Sequence, residues 1–335
     1  MRVGIDLMGS ESSPQELLEA VFEVVGLLGP LDSLVVYATK DILETGFLPP
    51  PAVENKGGKV DIRLVSEYIT MEEDPLTAVR LKRSSSLVIG INQLKEKKID
   101  ALVTAGNTGA LIACATILLP LLNGIERPAL LASLPTLKSS LALVDVGGLV
   151  SVKPRHLVQN AHFGAAFQRC SLGIDIATVG LLNIGVESKK GTPETRAAHR
   201  LLSEASKYPN SKIRFVGNIE GRDVFQGNVD VLVTDGFTGN VLLKTSEGIS
   251  AFIFDYLLQE LKEGPTERLT QALTILQRRF NYDEYPGALV CGVDGILVKC
   301  HGAATKKGMM QSIKGAIQLV RNQLLSKILE ELGSG

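Results

Sequence analysis

Ile99-Asp-Ala-Leu-Val-Thr-Ala-Gly-Asn-Thr-Gly-Ala-Leu111 and Val229-Asp-Val-Leu-Val-Thr-Asp-Gly-Phe-Thr-Gly-Asn-Val241 decide the fold. They share the same Asp, Leu, Val, Thr, Gly, Thr and Gly, in register. Each reads as a short, continuously apolar strand, a Gly-x-Thr-Gly turn and the start of a helix. A strand without polar alternation is one covered on both faces, which is the habit of parallel strands in α/β proteins. Glycine supplies turn conformations other residues avoid, and threonine is a good cap for the helix that follows. The same grammar recurs outward along the chain. Apolar runs at 3–7, 34–38, 101–104, 142–146, 178–182, 213–216, 231–234 and 289–293 are followed by Gly-bearing turns or helical patterns. The reading is an α/β chain with a largely parallel sheet and right-handed crossovers. Helices are predicted over 14–26 and over 151–170, the latter with Pro154 in its first turn.

Composition narrows the function classes. The 335 residues carry 35 Lys and Arg against 36 Asp and Glu, so no strong electrostatic attraction to nucleic acid is expected. Cys114, Cys170, Cys291 and Cys300 are scattered without a C-x-x-C, which disfavours a disulfide framework or structural zinc and suits a reducing cytoplasm. The chain opens directly on a strand pattern, with no basic and apolar leader. The longest apolar run, 109–122, is interrupted by Pro120 and falls short of the roughly 20 residues a spanning helix needs.

In an open α/β sheet, ligands bind beyond the carboxyl ends of strands. Glycine turns that open helices there offer free N–H groups and the positive end of a helix dipole, which suits phosphate. Such turns occur at Met8-Gly9-Ser10, Gly106-Asn107-Thr108-Gly109, Gly236-Phe237-Thr238-Gly239-Asn240 and His301-Gly302. Neither a Walker A sequence nor a G-x-G-x-x-G dinucleotide fingerprint is present. The loop Asn183 to Gly191 adds Lys189 and Lys190, either of which could neutralise an oxyanion or hold phosphate. Residues 71–86 combine acids suited to a helix start with Arg80, Lys82, Arg83 and Ser84-Ser85-Ser86. Asp6, Asp145, Asp235 and Asp294 sit at or near strand ends, where capping of turns is the default role. His301 stands at a strand end, whereas His162 and His199 fall in helical patterns. No nucleophile elbow or H-E-x-x-H metal motif appears.

These motifs, taken in order, resemble the phosphate acyltransferases of bacterial phospholipid synthesis, the PlsX family. The resemblance runs through Asp6-Leu-Met-Gly9, 71–86, Ala105-Gly-Asn-Thr-Gly-Ala110, Arg127-Pro-Ala129, Asp145-Val-Gly147 and Lys153-Pro-Arg-His-Leu157. It continues through Leu181-Leu-Asn-Ile-Gly185, Lys190-Gly191, Phe215-Val-Gly-Asn-Ile-Glu-Gly-Arg-Asp223, Asp235-Gly-Phe-Thr-Gly-Asn240 and His301-Gly302. It implies one three-layer αβα, Rossmann-like domain over 1–335, similar to isopropylmalate dehydrogenases and phosphotransacetylases, with a protruding helical hairpin at 241–282. It also implies reversible transfer of a long-chain acyl group from acyl carrier protein to inorganic phosphate. The acyl phosphate would then supply a membrane glycerol-3-phosphate acyltransferase. A homodimer and peripheral membrane association are implied as well; no cofactor is expected and no metal ligands are assigned.

On this reading phosphate sits at Gly106, Asn107, Thr108 and Gly109 and near Gly9 and Ser10. Lys190 lies beside the reacting carbonyl, and Asn240 donates to phosphate or thioester. Gly236, Thr238 and Gly239 line the substrate site, and His301 is a secondary polar contact. Arg80, Lys82 and Arg83 form a basic patch for the acidic carrier protein. The sequence departs from the family pattern at Ser10-Glu11-Ser12-Ser13, where Gly-Asp-His-Ala is usual, at Thr192 and at Ala303-Ala304. The hairpin tip Glu263-Gly-Pro-Thr-Glu-Arg268 is polar and poor in lysine, so lipid affinity should be weak. Two alternatives stay open: a phosphotransacetylase-like enzyme using short acyl groups on coenzyme A, and a catalytically idle scaffold. A dehydrogenase is disfavoured by the missing fingerprint.

Overall fold

β1 (Arg2–Asp6) is buried from Val3 onward and therefore needs a partner on each edge and cover on each face. The computed structural model, which describes residues 1–44, 58–260, 273, 286–300 and 305–333, supplies both. The other strands are β2 (Ser33–Ala38), β3 (Lys59–Leu64), β4 (Ala101–Thr104), β5 (Ala129–Pro135), β6 (Ser140–Val144), β7 (Ala177–Leu182), β8 (Ile213–Ile219), β9 (Val231–Val233), β10 (Ala288–Cys291) and β11 (Ile296–Lys299). They form one eleven-stranded sheet in the order β3-β2-β1-β4-β11-β10-β5-β6-β9-β7-β8.

The sheet is two parallel blocks joined by an antiparallel seam. Strands β3-β2-β1-β4-β11 run one way, and β6-β9-β7-β8 run the other. Between them β10 and β5 pair antiparallel with each other and with their outer neighbours. The expectation of a largely parallel sheet holds within the blocks and fails at this seam. The reason is connection length. β5 turns directly into β6 through 136–139, where the Thr136 hydroxyl oxygen accepts from the Ser139 N–H at 3.1 Å. So short a link makes antiparallel neighbours, because a parallel partner needs a crossover of a dozen or more residues.

Two apolar cores cover the two faces. Val3 and Ile5 face one core, with α1 (Pro14–Val25), α6 (Pro154–Leu172), α7 (Pro193–Ala205), α9 (Lys306–Arg321) and α10 (Leu324–Gly333). Tyr37, Leu102 and Leu143 face the other, with α3 (Pro75–Leu81), α4 (Ser86–Lys95), α5 (Thr108–Leu118) and the first part of α8 (Gly236–Glu260). A single turn, α2 (Asp41–Glu44), follows β2. This is the three-layer αβα arrangement. The two helices predicted from sequence form close to where expected. Ser13 caps α1 by accepting from the Glu16 N–H, and Pro14 fills its first turn. α6 opens at Pro154 and ends at Gly173 in the left-handed region. α8 covers the first part of the expected hairpin at 241–282; residues 261–272 and 274–282 lie outside the described residues.

Candidate active site

Strands β1, β4 and β11 are neighbours, and the register aligns Asp6, Thr104 and Lys299 across their carboxyl ends. Registered neighbours point to one face, so the three side chains form a row, and all three are buried. Asp6 accepts from the Thr104 hydroxyl at 2.9 Å and from the Met8 N–H at 3.1 Å. The Ser86 hydroxyl bonds to it as well. Burial pushes the Asp6 carboxyl up, against the pull of those hydrogen bonds and of Lys299. Lys299 donates to the Ala105 carbonyl at 3.1 Å and to the Cys300 carbonyl. Sequence reading passed over Lys299; its signal is a lysine closing the apolar run Ile296-Leu-Val directly before Cys300-His301-Gly302.

Above this row lies the start of α5. The Gly106 N–H donates to the Thr104 hydroxyl at 3.1 Å, so the turn is pinned from beneath. Asn107 is the cap: its side-chain oxygen accepts from the Ala110 N–H at 3.0 Å. Its amide donates to the carbonyls of Thr70 and Met71 at 3.2 and 3.1 Å. Asn107 is thus a scaffold residue on its side-chain side. First-turn N–H groups of a helix have no intrahelical acceptor. Among the described residues none accepts from Asn107, Thr108 or Gly109. Gly9, at φ +72°, brings the preceding loop against this turn. A Cβ at Gly9 would stand 2.1 Å from the Ile69 carbonyl oxygen, and Gly106 Cα is 3.7 Å away. Ser10 uses its hydroxyl within the loop, accepting from the Ser12 N–H at 3.1 Å.

Residues 68–73 form the outer wall, and the polar block after them holds that wall in place. Lys82 reaches Glu73 at 2.7 Å and the Tyr68 carbonyl at 2.9 Å, while Glu73 accepts from the Thr70 N–H at 2.8 Å. The Lys82 ammonium holds the Glu73 carboxyl below its ordinary range. Asp74 caps α3 by accepting from the Thr77 N–H at 2.9 Å. Ser86 serves Asp6, and Ser85 donates to the Lys82 carbonyl at 2.8 Å. So of the expected basic patch, Lys82 is spent on the wall, whereas Arg80 and Arg83 stay exposed beside Leu76 and Leu81.

The second copy of the repeated motif is built differently. At α8 the Gly236 N–H donates to the Leu149 carbonyl at 2.7 Å, and the Thr238 N–H and hydroxyl both donate to Asp235, at 2.8 and 2.7 Å. The Gly239 N–H goes to the Asp235 carbonyl at 2.9 Å. A carboxylate already occupies this helix start. The difference is one of sequence: Asp235 stands where the first copy has Ala105. Gly239 is required by crowding, since a Cβ there would sit 1.8 Å from the Asp145 carbonyl oxygen. Asp145, fully buried, accepts from the N–H groups of Leu130, Gly147, Gly148 and Leu149 at 2.7–3.1 Å. Its acid is pushed up by burial, with those four bonds opposing. The capping role expected of strand-end acids describes Asp6, Asp145 and Asp235; Asp294 pairs with Lys97 at 2.8 Å.

Because the blocks run oppositely, the ends of β4 and β9 start from opposite edges of the sheet. Five steps separate them. α8 bridges the gap: the charge of Lys244 acts on Lys299. Asn240 is one turn earlier on the same side of α8, and exposed. Lys190 is exposed in the loop after β7. Its backbone is tied by the Asn183 amide, which donates to the Lys190 carbonyl at 3.1 Å. Its ammonium has no partner among the described residues. Contact between Lys190 and the α5 start is absent from the described interactions. His301, Gly302, Ala303 and Ala304 lie outside the described residues. His156 is committed to Glu126 at 3.2 Å, and all four cysteines are buried. Burial pushes the Cys114 thiol up to about 12 and the Cys291 thiol higher still, so neither is a ready nucleophile.

Solved structures of low sequence identity share this architecture. A phosphotransacetylase from Staphylococcus aureus is 10% identical with a TM-score of 0.61, covering 96% of this chain and 94% of its own. A 4-hydroxythreonine-4-phosphate dehydrogenase from Klebsiella pneumoniae is 14% identical with a TM-score of 0.52, covering 95% and 99%. Such likeness speaks to the fold. Sequence relatives speak further. The phosphate acyltransferase of Chlamydia abortus is 38% identical over 334 residues, 99% of each chain. That of Heliobacterium modesticaldum is 37% identical over 337 residues, 99% of this chain and 98% of its own. A family model described as "Fatty acid synthesis protein" matches residues 1–327, and this chain belongs to that family.

Proposed function

We propose that this protein, an acyltransferase, moves a long-chain fatty acyl group from the thioester of acyl carrier protein to inorganic phosphate, with phosphate held at the start of α5. One observation carries the placement. Of the two repeated helix starts, that of α8 is filled by Asp235, and that of α5 is capped by a neutral asparagine with three N–H groups left for an anion.

The chemistry asks for little beyond this. A phosphate oxygen attacks the thioester carbonyl carbon, a tetrahedral oxyanion forms, and the C–S bond breaks to release thiolate and acyl phosphate. Phosphate is anionic at neutral pH and needs no strong base, and a thiol of pKa near ~8.5 leaves readily. Holding the reactants together supplies about 7–11 kcal/mol, and one oxyanion donor about 3–4 kcal/mol. Lys190, exposed and without an ion-pair partner among the described residues, serves as that donor, and Asn240 contacts phosphate or thioester from α8. Buried thiols agree with direct transfer and give no support to an acyl-cysteine intermediate.

The exposed Arg80, Arg83, Leu76 and Leu81 offer charge and apolar contact to an acidic carrier protein. α8 exposes Phe237, Val241, Ile249, Phe252 and Tyr256, a stripe suited to pairing with a second copy as a homodimer. No described helix is long and apolar enough to cross a membrane. The acyl phosphate would pass to a glycerol-3-phosphate acyltransferase at the membrane, which the protein meets from the cytoplasmic side as a peripheral visitor. The test compares palmitoyl-acyl carrier protein with acetyl-coenzyme A as donors. Turnover of the carrier-bound palmitoyl group supports the reading, and exclusive use of acetyl-coenzyme A replaces it with a phosphotransacetylase.

A further inference from the structure

Lys299 is an expensive residue to keep. It is 5% exposed, it closes a strand in the middle of the sheet, and an isolated ammonium in such a place is strongly disfavoured. Its hydrogen bonds go to two main-chain carbonyls, those of Ala105 and Cys300, each within two residues of a glycine in the sequence. The peptide between Ala105 and Gly106 is therefore gripped at both ends. Lys299 holds its carbonyl, and the Thr104 hydroxyl holds its N–H at 3.1 Å. Thr104 in turn is anchored on Asp6 at 2.9 Å. This peptide and the Asn107 cap bond to the Ala110 N–H bracket the turn that carries the N–H groups of Asn107, Thr108 and Gly109.

We propose that Lys299 is a positioning residue for the phosphate acceptor: through Ala105 it sets the α5 turn, and it places a buried positive charge directly beneath the anion. The inference rests on the proposed seat of phosphate at α5. It assigns to Lys299, Thr104 and Asp6 one task, which is to present a rigid floor with the ammonium already fixed beneath the anion before substrate arrives. Among the described residues, and apart from Thr104, which does not titrate, the groups whose charge acts on Lys299 are Asp6 on β1, Glu11 in the loop after β1, Cys300 directly after β11 and Lys244 on α8. Asp6, Glu11 and Cys300 favour the charged lysine, Lys244 opposes it, and burial outweighs the rest, bringing the ammonium down to about 8. The floor is charged at neutral pH and loses its charge as pH rises through that value. Inorganic phosphate is already mostly dianionic by then and gains little further charge above it, so a fall in phosphate affinity at higher pH belongs to the protein.

The experiment measures KM for inorganic phosphate, KM for the acyl donor and kcat from pH 6.5 to about 9.5 in wild type and in Lys299→Met, with phosphate-induced Tm shifts alongside. The expected result is a phosphate KM raised at least about tenfold at pH 7, with donor KM unchanged and kcat at saturating phosphate within about threefold. The alkaline rise in phosphate KM expected of wild type should be absent in the variant. A merely structural lysine would lower Tm and disturb both KM values alike, and that result, or an unchanged phosphate KM, overturns the proposal. If Lys299→Met does not fold, Lys299→Arg, which stays charged, should flatten the alkaline rise; a rise that persists overturns the proposal. Thr108→Pro separates the two layers of the argument. If it weakens phosphate binding and Lys299→Met does not, phosphate is at α5 and the role of Lys299 is wrong. If Thr108→Pro has no effect, the seat itself is wrong and the inference falls with it.

Discussion

Replacing Thr108 by proline removes one N–H from the proposed phosphate seat while asking almost nothing of the fold. Thr108 is the first residue of α5, behind the cap Asn107, and proline is well tolerated there because that N–H has no intrahelical acceptor. The residue before a proline is kept out of the helical region, and Asn107 already lies outside it, at φ −59° and ψ 120°. The cap bond from the Ala110 N–H to Asn107 should survive. What is lost is one hydrogen bond to a charged ligand, worth about 1.5–3 kcal/mol, or roughly 10–150-fold in affinity. The ring also fills the space the hydrogen occupied, so the upper part of that range is expected. The assay is phosphate KM at saturating acyl donor, with Tm measured on the same samples. Thr108→Ala, which keeps the N–H, is the control and should stay within about threefold. A Thr108→Pro protein with native Tm and a phosphate KM within about threefold of wild type refutes the assignment of phosphate to α5.

Lys190→Ala should lower kcat by about 100-fold or more, with Tm unchanged, since the side chain is exposed and without partners among the described residues; a folded variant of near-normal turnover removes Lys190 from the mechanism. Asp145→Asn leaves the Leu149 N–H facing an amide nitrogen in place of a carboxylate oxygen, and should cost about 1–3 kcal/mol in denaturant unfolding. Glu73→Gln releases the wall at 68–73 for about 0.2–1 kcal/mol. Because the folded Glu73 carboxyl lies below its ordinary value, this contribution is present above pH 4.5 and is lost as pH falls through the folded value, so wild type and variant should converge in acid. Phe252→Glu, on the exposed stripe of α8, should convert a dimer to monomer in sedimentation; a dimer that persists places the interface elsewhere.

The periodic parts of the chain were legible and the seam was not. Central strands such as β1, β4 and β9 are apolar through their middles because both faces are covered, and polar residues enter only at their ends. β3 escaped notice because it is an edge strand, partly exposed along its length, and its Lys-Val-Asp-Ile-Arg-Leu holds no continuous apolar run. Strand direction at β5 and β10 depends on short turns rather than on composition, so the reversal between blocks could not be read from apolar runs. At the site, the repeated Gly-x-Thr-Gly motif was visible, but the two copies differ in which residue caps the helix. That difference turns on Asp235 against Ala105, one position ahead of each glycine. Ser84-Ser85-Ser86 stand beside Arg80, Lys82 and Arg83 in the sequence, yet Ser85 and Ser86 bond to Lys82 and Asp6, because short hydroxyls at a helix start are as easily used inward as outward. Lys299 is the clearest omission. A lone lysine is ordinarily a solvated charge, and only registry with Asp6 and Thr104 reveals it as buried.

Direct transfer to phosphate is tested most directly by mixing the protein with palmitoyl-acyl carrier protein and titrating inorganic phosphate. Free carrier-protein thiol and acyl phosphate, the latter trapped as a hydroxamate, are followed together. The account predicts that thiol release depends on phosphate, saturates with it, and equals acyl phosphate mole for mole. Thiol release without phosphate, or a palmitoyl group retained on the protein, would contradict it.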